Sequence, residues 1–220
     1  MGALIRDPIT GHLRRPRLLL ADDHTIVLEG ITRLLQSEYD LLAPAGDGQL
    51  LVENAVRFNP DVIVADISMP ILNGIEAVRQ IRKKGLKAKV IFLSMHADIE
   101  WAAQALAVGA SGYVIKQSAA EELSHAIQEA LRNKTYITPR VVRDKESISH
   151  VSKHGMMLTA REREVLQLVA EGRTINGIAA ILKVAGRTVV FHKTNIMDKL
   201  NLRTTADLTQ YAVRHGMISV

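Results

Sequence analysis

Between Arg17 and Leu131, short unbroken apolar runs alternate with longer stretches in which apolar residues recur every third or fourth position. The runs are Leu18 to Ala21, Leu41 to Ala43, Val62 to Ala65, Val90 to Leu93 and Tyr113 to Ile115. Each is continuous rather than alternating, the pattern of parallel strands covered on both faces. Between and after them, Val27, Ile31 and Leu34, then Ile75, Val78 and Ile81, then Ile99, Ala103 and Leu106, then Leu123, Ile127 and Leu131 follow helical spacing. Strands that alternate with helices predict a doubly wound sheet, because parallel neighbours need a crossover.

After Leu131 the periodicity stops, and Ile137-Thr-Pro139 leads into a polar stretch of mixed charge as far as Gly155. A second, purely helical pattern starts at Leu158. Thr159 and Glu162 have the spacing of a capping box, with Val165, Leu166 and Val169 inward and Arg161 and Arg163 toward solvent. Gly172 ends that helix, Ile178 and Leu182 mark a second, Val189, Ile196 and Leu200 a third, and Ala206 to Val213 a fourth. The expected architecture is a flavodoxin-like five-stranded parallel α/β domain (16–136), a linker (137–155) and an all-α four-helix domain (156–220). Residues 1–15 are charged and rich in turn formers, and are expected to be a disordered lead.

Charge sharpens this division. The chain of 220 residues has a net charge of +5, but residues 1–139 hold 15 Lys and Arg against 16 Asp and Glu, whereas residues 140–220 hold 13 against 7. A basic surplus confined to the last third points to a polyanion partner there. No cysteine is present, which excludes disulfides, thiolate metal sites and cysteine nucleophiles and suits a reducing cytoplasm. No apolar run approaches the roughly 18 residues of a membrane helix.

The chemistry gathers at strand ends. Asp22-Asp23 follows strand one where a dinucleotide fold would carry glycines, Asp66 follows strand three, Ser94 strand four and Lys116 strand five. In a strand order of 2-1-3-4-5 these ends share one rim, so the five side chains converge. Clustered carboxylates repel unless a cation joins them, and a few hard oxygen ligands suit Mg²⁺. With metal and lysine offsetting charge, Asp66 can act as a nucleophile on a phosphoryl group, with Ser94 bonding a phosphoryl oxygen. A phosphatase that turns over through an aspartyl phosphate would carry a second acid two residues after the nucleophile, and position 68 is Ser.

Residues 17 to 132 resemble the receiver domain of bacterial two-component response regulators. The matching residues are Asp22-Asp23, the Asp66-Ile-Ser-Met-Pro-Ile-Leu-Asn-Gly74 block, Leu93-Ser94 and Gly109-Ala-Ser-Gly-Tyr-Val-Ile-Lys116. The resemblance implies that Asp66 accepts phosphate from a histidine kinase. It further implies that Asp23 and Asp66 ligate Mg²⁺ with help from Asp22 and the backbone carbonyl of Ser68, and that Ser94 and Tyr113 form a switch pair. The responding surface would be helix four, roughly Ala97 to Ala107, with Trp101, offset from the Ile99, Ala103 and Leu106 stripe, either partly exposed beside a partner surface or used in helix packing.

The C-terminal segment is similar to the LuxR-type helix-turn-helix domain. The similarity rests on Leu158-Thr-Ala-Arg-Glu-Arg-Glu-Val-Leu166, Ala170-Glu-Gly172, Ile178-Ala179, Thr188-Val189, His192, Asn195-Ile196 and Lys199-Leu200. Joined to a receiver, this pattern is that of the NarL/FixJ subclass: a transcriptional regulator, not an enzyme, that binds double-stranded DNA as a homodimer through the helix at Thr205 to Arg214. DNA contacts are expected from Arg187, Thr188, Val190, His192, Lys193, Thr194, Asn195 and Lys199. Three positions depart from the family. Asn176-Gly177 replaces Lys-Glu, Ala185 replaces a capping Ser, and Val190 replaces a Lys that reaches DNA. A weakened helix-turn-helix that acts through protein contacts, or that binds DNA without phosphate control, is the alternative. In the resting form the receiver is expected to pack over the recognition helix.

Overall fold

The computed structural model describes residues 4–7, 11–95, 97, 99–143 and 158–218. Its central sheet is built from β3 (Arg17–Ala21), β4 (Asp40–Leu41), β5 (Val62–Asp66), β6 (Lys89–Ser94), β7 (Gly112–Ile115) and β8 (Tyr136–Ile137). The order is β4-β3-β5-β6-β7-β8 and every pairing is parallel. One strand more than expected is present, because Tyr136–Ile137 pairs with Gly112 and Tyr113 instead of opening the linker.

Alternate residues of the buried strands feed two cores, one on each face. Leu19, Ile63, Val90, Phe92 and Tyr113 join α2 (Gly48–Phe58), α3 (Gly74–Lys83) and α4 (Ile99–Ala107). Leu18, Leu20, Val62, Val64, Ile91 and Val114 join α1 (Thr25–Leu35) and α5 (Ala119–Leu131). Trp101 is only 7% exposed and belongs to the first core, which decides for helix packing over exposure, while Ala103 of the expected stripe is exposed.

The domain also runs beyond residue 136. Thr138 is buried, its hydroxyl accepting from the Ile115 amide and donating to Glu122 at 2.6 Å. A short helix, α6 (Pro139–Arg143), then buries Val141 completely. Of the expected linker, residues 144–155 lie outside the described residues. The expected disordered lead forms a small antiparallel ribbon, β1 (Ile5–Arg6) with β2 (Leu13–Arg14), tied down because Arg14 pairs with both Asp7 and Asp61.

The second domain comprises α7 (Ala160–Ala170), α8 (Ile175–Leu182), α9 (Gly186–Leu200) and α10 (Thr205–Arg214) around a separate core that includes Val165, Ile178, Val189, Ile196 and Leu208. Capping boxes start α7 at Thr159 with Glu162 and α10 at Thr204 with Asp207. Thr174 caps α8 through the Gly177 amide, but Gly177 has no side chain to complete the box. Gly177 therefore sits in the first turn rather than mid-helix. Ala185 precedes α9 with no side-chain cap, as its sequence implies.

Candidate functional site

Parallel pairing puts the C-terminal ends of β3, β5, β6 and β7 on one rim, and the sequence has set polar residues there. Asp22 and Asp66 are almost fully buried, and so is Ser94. Lys116 reaches across from the end of β7 and lies 2.7 Å from Oδ2 of both Asp22 and Asp66. The second oxygen of Asp66 accepts the Ser68 amide at 3.2 Å. Burial pushes the Asp66 carboxyl above the usual carboxylate range despite the opposing pull of Lys116. Burial works against the Lys116 ammonium, but the charges of Asp66 and Asp22 outweigh it and hold its pKa above the ordinary value. The cation thus stays charged between two acids that would otherwise repel each other.

Gly74, at the start of α3, is required by close approach: a Cβ there would lie 2.1 Å from the Asp66 carbonyl oxygen. Asn73 caps the helix by accepting the Glu76 amide. The loop from Asp66 to α3 is thereby drawn tightly back on the strand that presents the carboxylate.

Asp22, Asp23, His24 and Asp66 offer ligand atoms that all lie within 4.8 Å of one another. His24 was not among the expected residues. Its Nδ1 is 2.9 Å from Asp23 and 3.2 Å from Asp22, and its amide donates to Asp22. Its position directly after the acidic pair was the available signal. The carboxylates supply hard oxygen donors of the kind that fit Mg²⁺. Tyr113 is completely buried, in the core shared by Trp101 and Ala105 of α4.

The helical domain docks against the loop that follows Asp66, through residues that no sequence pattern singled out. Gln167 of α7 is wholly buried. Its Oε1 accepts the Asn73 amide at 2.8 Å and the Asn73 side chain at 3.2 Å, and its Nε2 donates to the Met69 carbonyl at 2.7 Å. Glu171 accepts the Ile71 amide at 3.0 Å, and Ser68 donates to the Gly216 carbonyl at 2.9 Å. Arg163, expected in solvent, is ion-paired with buried Glu76 of α3, and Arg161 bonds Glu164 and the Leu182 carbonyl. The docked element is α7 rather than α9, which corrects the expectation of a receiver packed over the recognition helix.

On α9, Val189, Ile196 and Leu200 face the core, while Arg187, Val190, Phe191 and Thr194 are exposed. Thr188, His192, Lys193 and Asn195 are half-buried. Lys193 donates to Thr205 of α10 at 2.8 Å, and Lys199 is 2.8 Å from both oxygens of Glu162. These two lysines therefore brace the helical domain, and the exposed stripe carries one cation, Arg187.

Two family models match the chain: the response regulator receiver domain over residues 18–128 and the luxR family of bacterial regulatory proteins over residues 156–212. The transcriptional regulatory protein MctR of Rhizobium johnstonii is 34% identical, with 92% of this chain and 95% of that protein covered. The transcriptional regulatory protein DegU of Brevibacillus brevis is 32% identical, with 93% and 95% covered. Among solved structures, RcsB of Salmonella enterica serovar Typhimurium bound to promoter rprA with phosphomimetic BeF₃⁻ matches with TM-score 0.61 at 27% identity, covering 90% of this chain and 98% of that one. Two RcsB dimers bound to two parallel DNAs match with TM-score 0.58 at 27% identity, covering 94% and 100%. No described helix is long and apolar enough to cross a membrane. With an acid rim on a parallel sheet, a helix-turn-helix behind it and both family models matched, the chain belongs to the response regulators that join a receiver domain to a LuxR-type DNA-binding domain.

Proposed function

We propose that this chain is a phosphorylation-controlled transcriptional regulator in which Asp66 accepts a phosphoryl group from a histidine kinase. The observation that carries the reading is the Lys116 ammonium, 2.7 Å from both Asp22 and Asp66. It opposes the upward push of burial on the Asp66 carboxyl and leaves a cation where phosphoryl charge would arrive. In the transfer, an Asp66 oxygen forms a bond to phosphorus while the phosphorus–nitrogen bond of the phosphohistidine breaks. The electron pair stays on the imidazole, which takes up a proton. Asp22, Asp23, Asp66 and the Ser68 carbonyl would hold Mg²⁺, which when bound offsets charge on the transferring oxygens. Ser94 would bond a phosphoryl oxygen, with Tyr113 as its switch partner.

The route to DNA follows from where α7 sits. Gln167, Glu171 and Gly216 all bond the segment 68–73 directly after the phosphoacceptor. A change in that loop on phosphorylation alters the partners available to the DNA-binding domain, which is a local charge event with a packing readout. The released domain would bind a two-fold DNA site as a homodimer through α10, in the cytoplasm.

One observation favours a second reading. The exposed stripe of α9 stays open while the domains are docked, which suits DNA binding without phosphate control, or a helix-turn-helix used for protein contacts. The two readings separate on operator binding measured with and without a phosphoryl mimic in wild type and in Asp66→Ala. Stimulation of wild type alone is expected; equal stimulation of both sinks phosphorylation control at Asp66.

A further inference from the structure

We propose that Val190 and Phe191 form an apolar reading head for thymine methyl groups in the DNA major groove, an inference that rests on the DNA-binding reading above. Arg187, Val190, Phe191 and Thr194 are spaced i, i+3, i+4 and i+7 and are all exposed, so they form one stripe along α9 opposite the buried Val189 and Ile196. Phe191 is 61% exposed and Val190 49%, two adjacent large apolar side chains that the fold leaves uncovered. The His192 and Phe191 rings meet edge to face, with centroids 5.7 Å apart.

The flanks say what covers this stripe. Arg187 stands on it, Lys183 is exposed at the turn before α9, and the last third of the chain is basic, so the surroundings attract a polyanion. Toward the far end of the helix Asp198 is exposed, and the exposed Lys199 beside it is already engaged by Glu162, so no free cation favours phosphate there. The amino-terminal half of α9 is therefore the part that enters the groove, the end from which recognition helices reach bases. In the major groove the apolar feature that marks one base is the thymine C5 methyl. Two apolar side chains with a threonine beyond them match that methyl, while Arg187 is left to meet a phosphate or a guanine edge.

The test uses the full chain in the presence of the phosphoryl mimic. Binding sites are first selected from a random duplex pool, and affinity for the selected duplex is then measured with each thymidine replaced by deoxyuridine, which removes the methyl and nothing else. At one or two positions in each half-site the replacement is expected to weaken binding about fourfold, the scale of one buried methyl group. Phe191→Ala and Val190→Ala, both at exposed positions, should keep the helical circular dichroism and bring that penalty close to one. Deoxyuridine without effect at every position, or a penalty unchanged in both variants, overturns methyl reading while leaving DNA binding standing. Failure to select any sequence overturns both.

Discussion

Gln167 of α7 accepts the backbone amide of Asn73 at 2.8 Å, so a side chain of the DNA-binding domain occupies the loop between the phosphoacceptor and α3. Glu171, one turn further along, takes the Ile71 amide at 3.0 Å. Gln167→Ala removes the bonds to Asn73 and Met69 together, and undocking then returns those groups to water. The docked population is expected to fall by roughly 2 kcal/mol, about 30-fold. Hydrogen exchange at the amides of Ile71 and Asn73 should accelerate accordingly. Protection equal to wild type would show that the apolar and ionic contacts hold the interface without Gln167.

Lys116→Met takes the shared cation from between Asp22 and Asp66, each 2.7 Å from it. Asp66, already above the ordinary carboxylate range through burial, then rises further because the opposing pull of Lys116 is gone. Phosphorylation of the variant by a small phosphodonor at neutral pH, followed by mass spectrometry, is expected to drop at least tenfold. Normal labelling would remove Lys116 from the chemistry.

Two substitutions in the helix-turn-helix should stabilise it. Ala185 has φ −72° and ψ 147°, close to the capping threonines at 159 and 174, but offers no side-chain oxygen. Ala185→Ser is expected to add about 1 kcal/mol by capping α9. Gly177→Glu replaces glycine in a helical turn and completes the box with Thr174, for about another 1 kcal/mol. Its new Cβ lies 3.3 Å from Thr174 Oγ1, a contact that a small shift of the hydroxyl relieves. Calorimetry of the full chain should show the second-domain transition raised by about 4–8 °C for each change. An unchanged transition would mean that α9 and α8 have other means of closing their first turns.

Acid should act on the same domain through Glu162. Burial pushes this carboxyl up, but Lys199 and the bonds from Thr159 outweigh it and hold its pKa below the ordinary value of 4.5. A carboxylate depressed in the folded state stabilises that state fully above its unfolded pKa, and the contribution is lost as pH falls through the folded one. Unfolding of the second domain should thus become easier as pH drops below about 4.5, and Glu162→Gln should flatten that part of the profile. An identical acid limb in the variant would assign the effect elsewhere.

Salt dependence tests the division of labour along α9. Arg187 stands exposed, while Lys193 donates to Thr205 and Lys199 pairs with Glu162. Arg187→Ala is expected to reduce the slope of log affinity against log salt by about 0.9 if the side chain neutralises one phosphate. Lys199→Ala should leave the slope alone and lower thermal stability instead. The reverse pattern would exchange their roles.

The acid rim was legible because its residues sit at the ends of continuous apolar runs, and a strand's end is a position that pattern alone can locate. Asp22, Asp66, Ser94 and Lys116 all lie where that logic put them. Tyr136–Ile137 was not legible: the equally short Asp40–Leu41 opens an apolar run, but Tyr136–Ile137 opens none, and its place in the sheet depends on Gly112 and Tyr113 offering a free edge. On α4 the apolar residues are too many to fix one face from spacing: the buried side is Trp101, Ala102 and Ala105, continued by Val108, whereas Ala103, the centre of the expected stripe, is exposed. The docking of Gln167 and Glu171 was invisible for a different reason. Polar residues in the first helix of a small domain look solvated until their partners, almost a hundred residues earlier, are set beside them.

Ile71 carries the last consequence. Its φ of 69° is left-handed, a conformation that a β-branched residue resists, at a cost of about 1–3 kcal/mol. Its amide is held by Glu171 on the other domain. The turn is closed within its own loop by the Leu72 amide donating to the Pro70 carbonyl at 2.7 Å, and Glu171 adds a catch from the neighbouring domain, so the loop resembles a cocked clasp. Glycine at this position would uncock it: Ile71→Gly leaves the acid rim and the groove-facing stripe untouched, yet removes the tension by which one could drive the other.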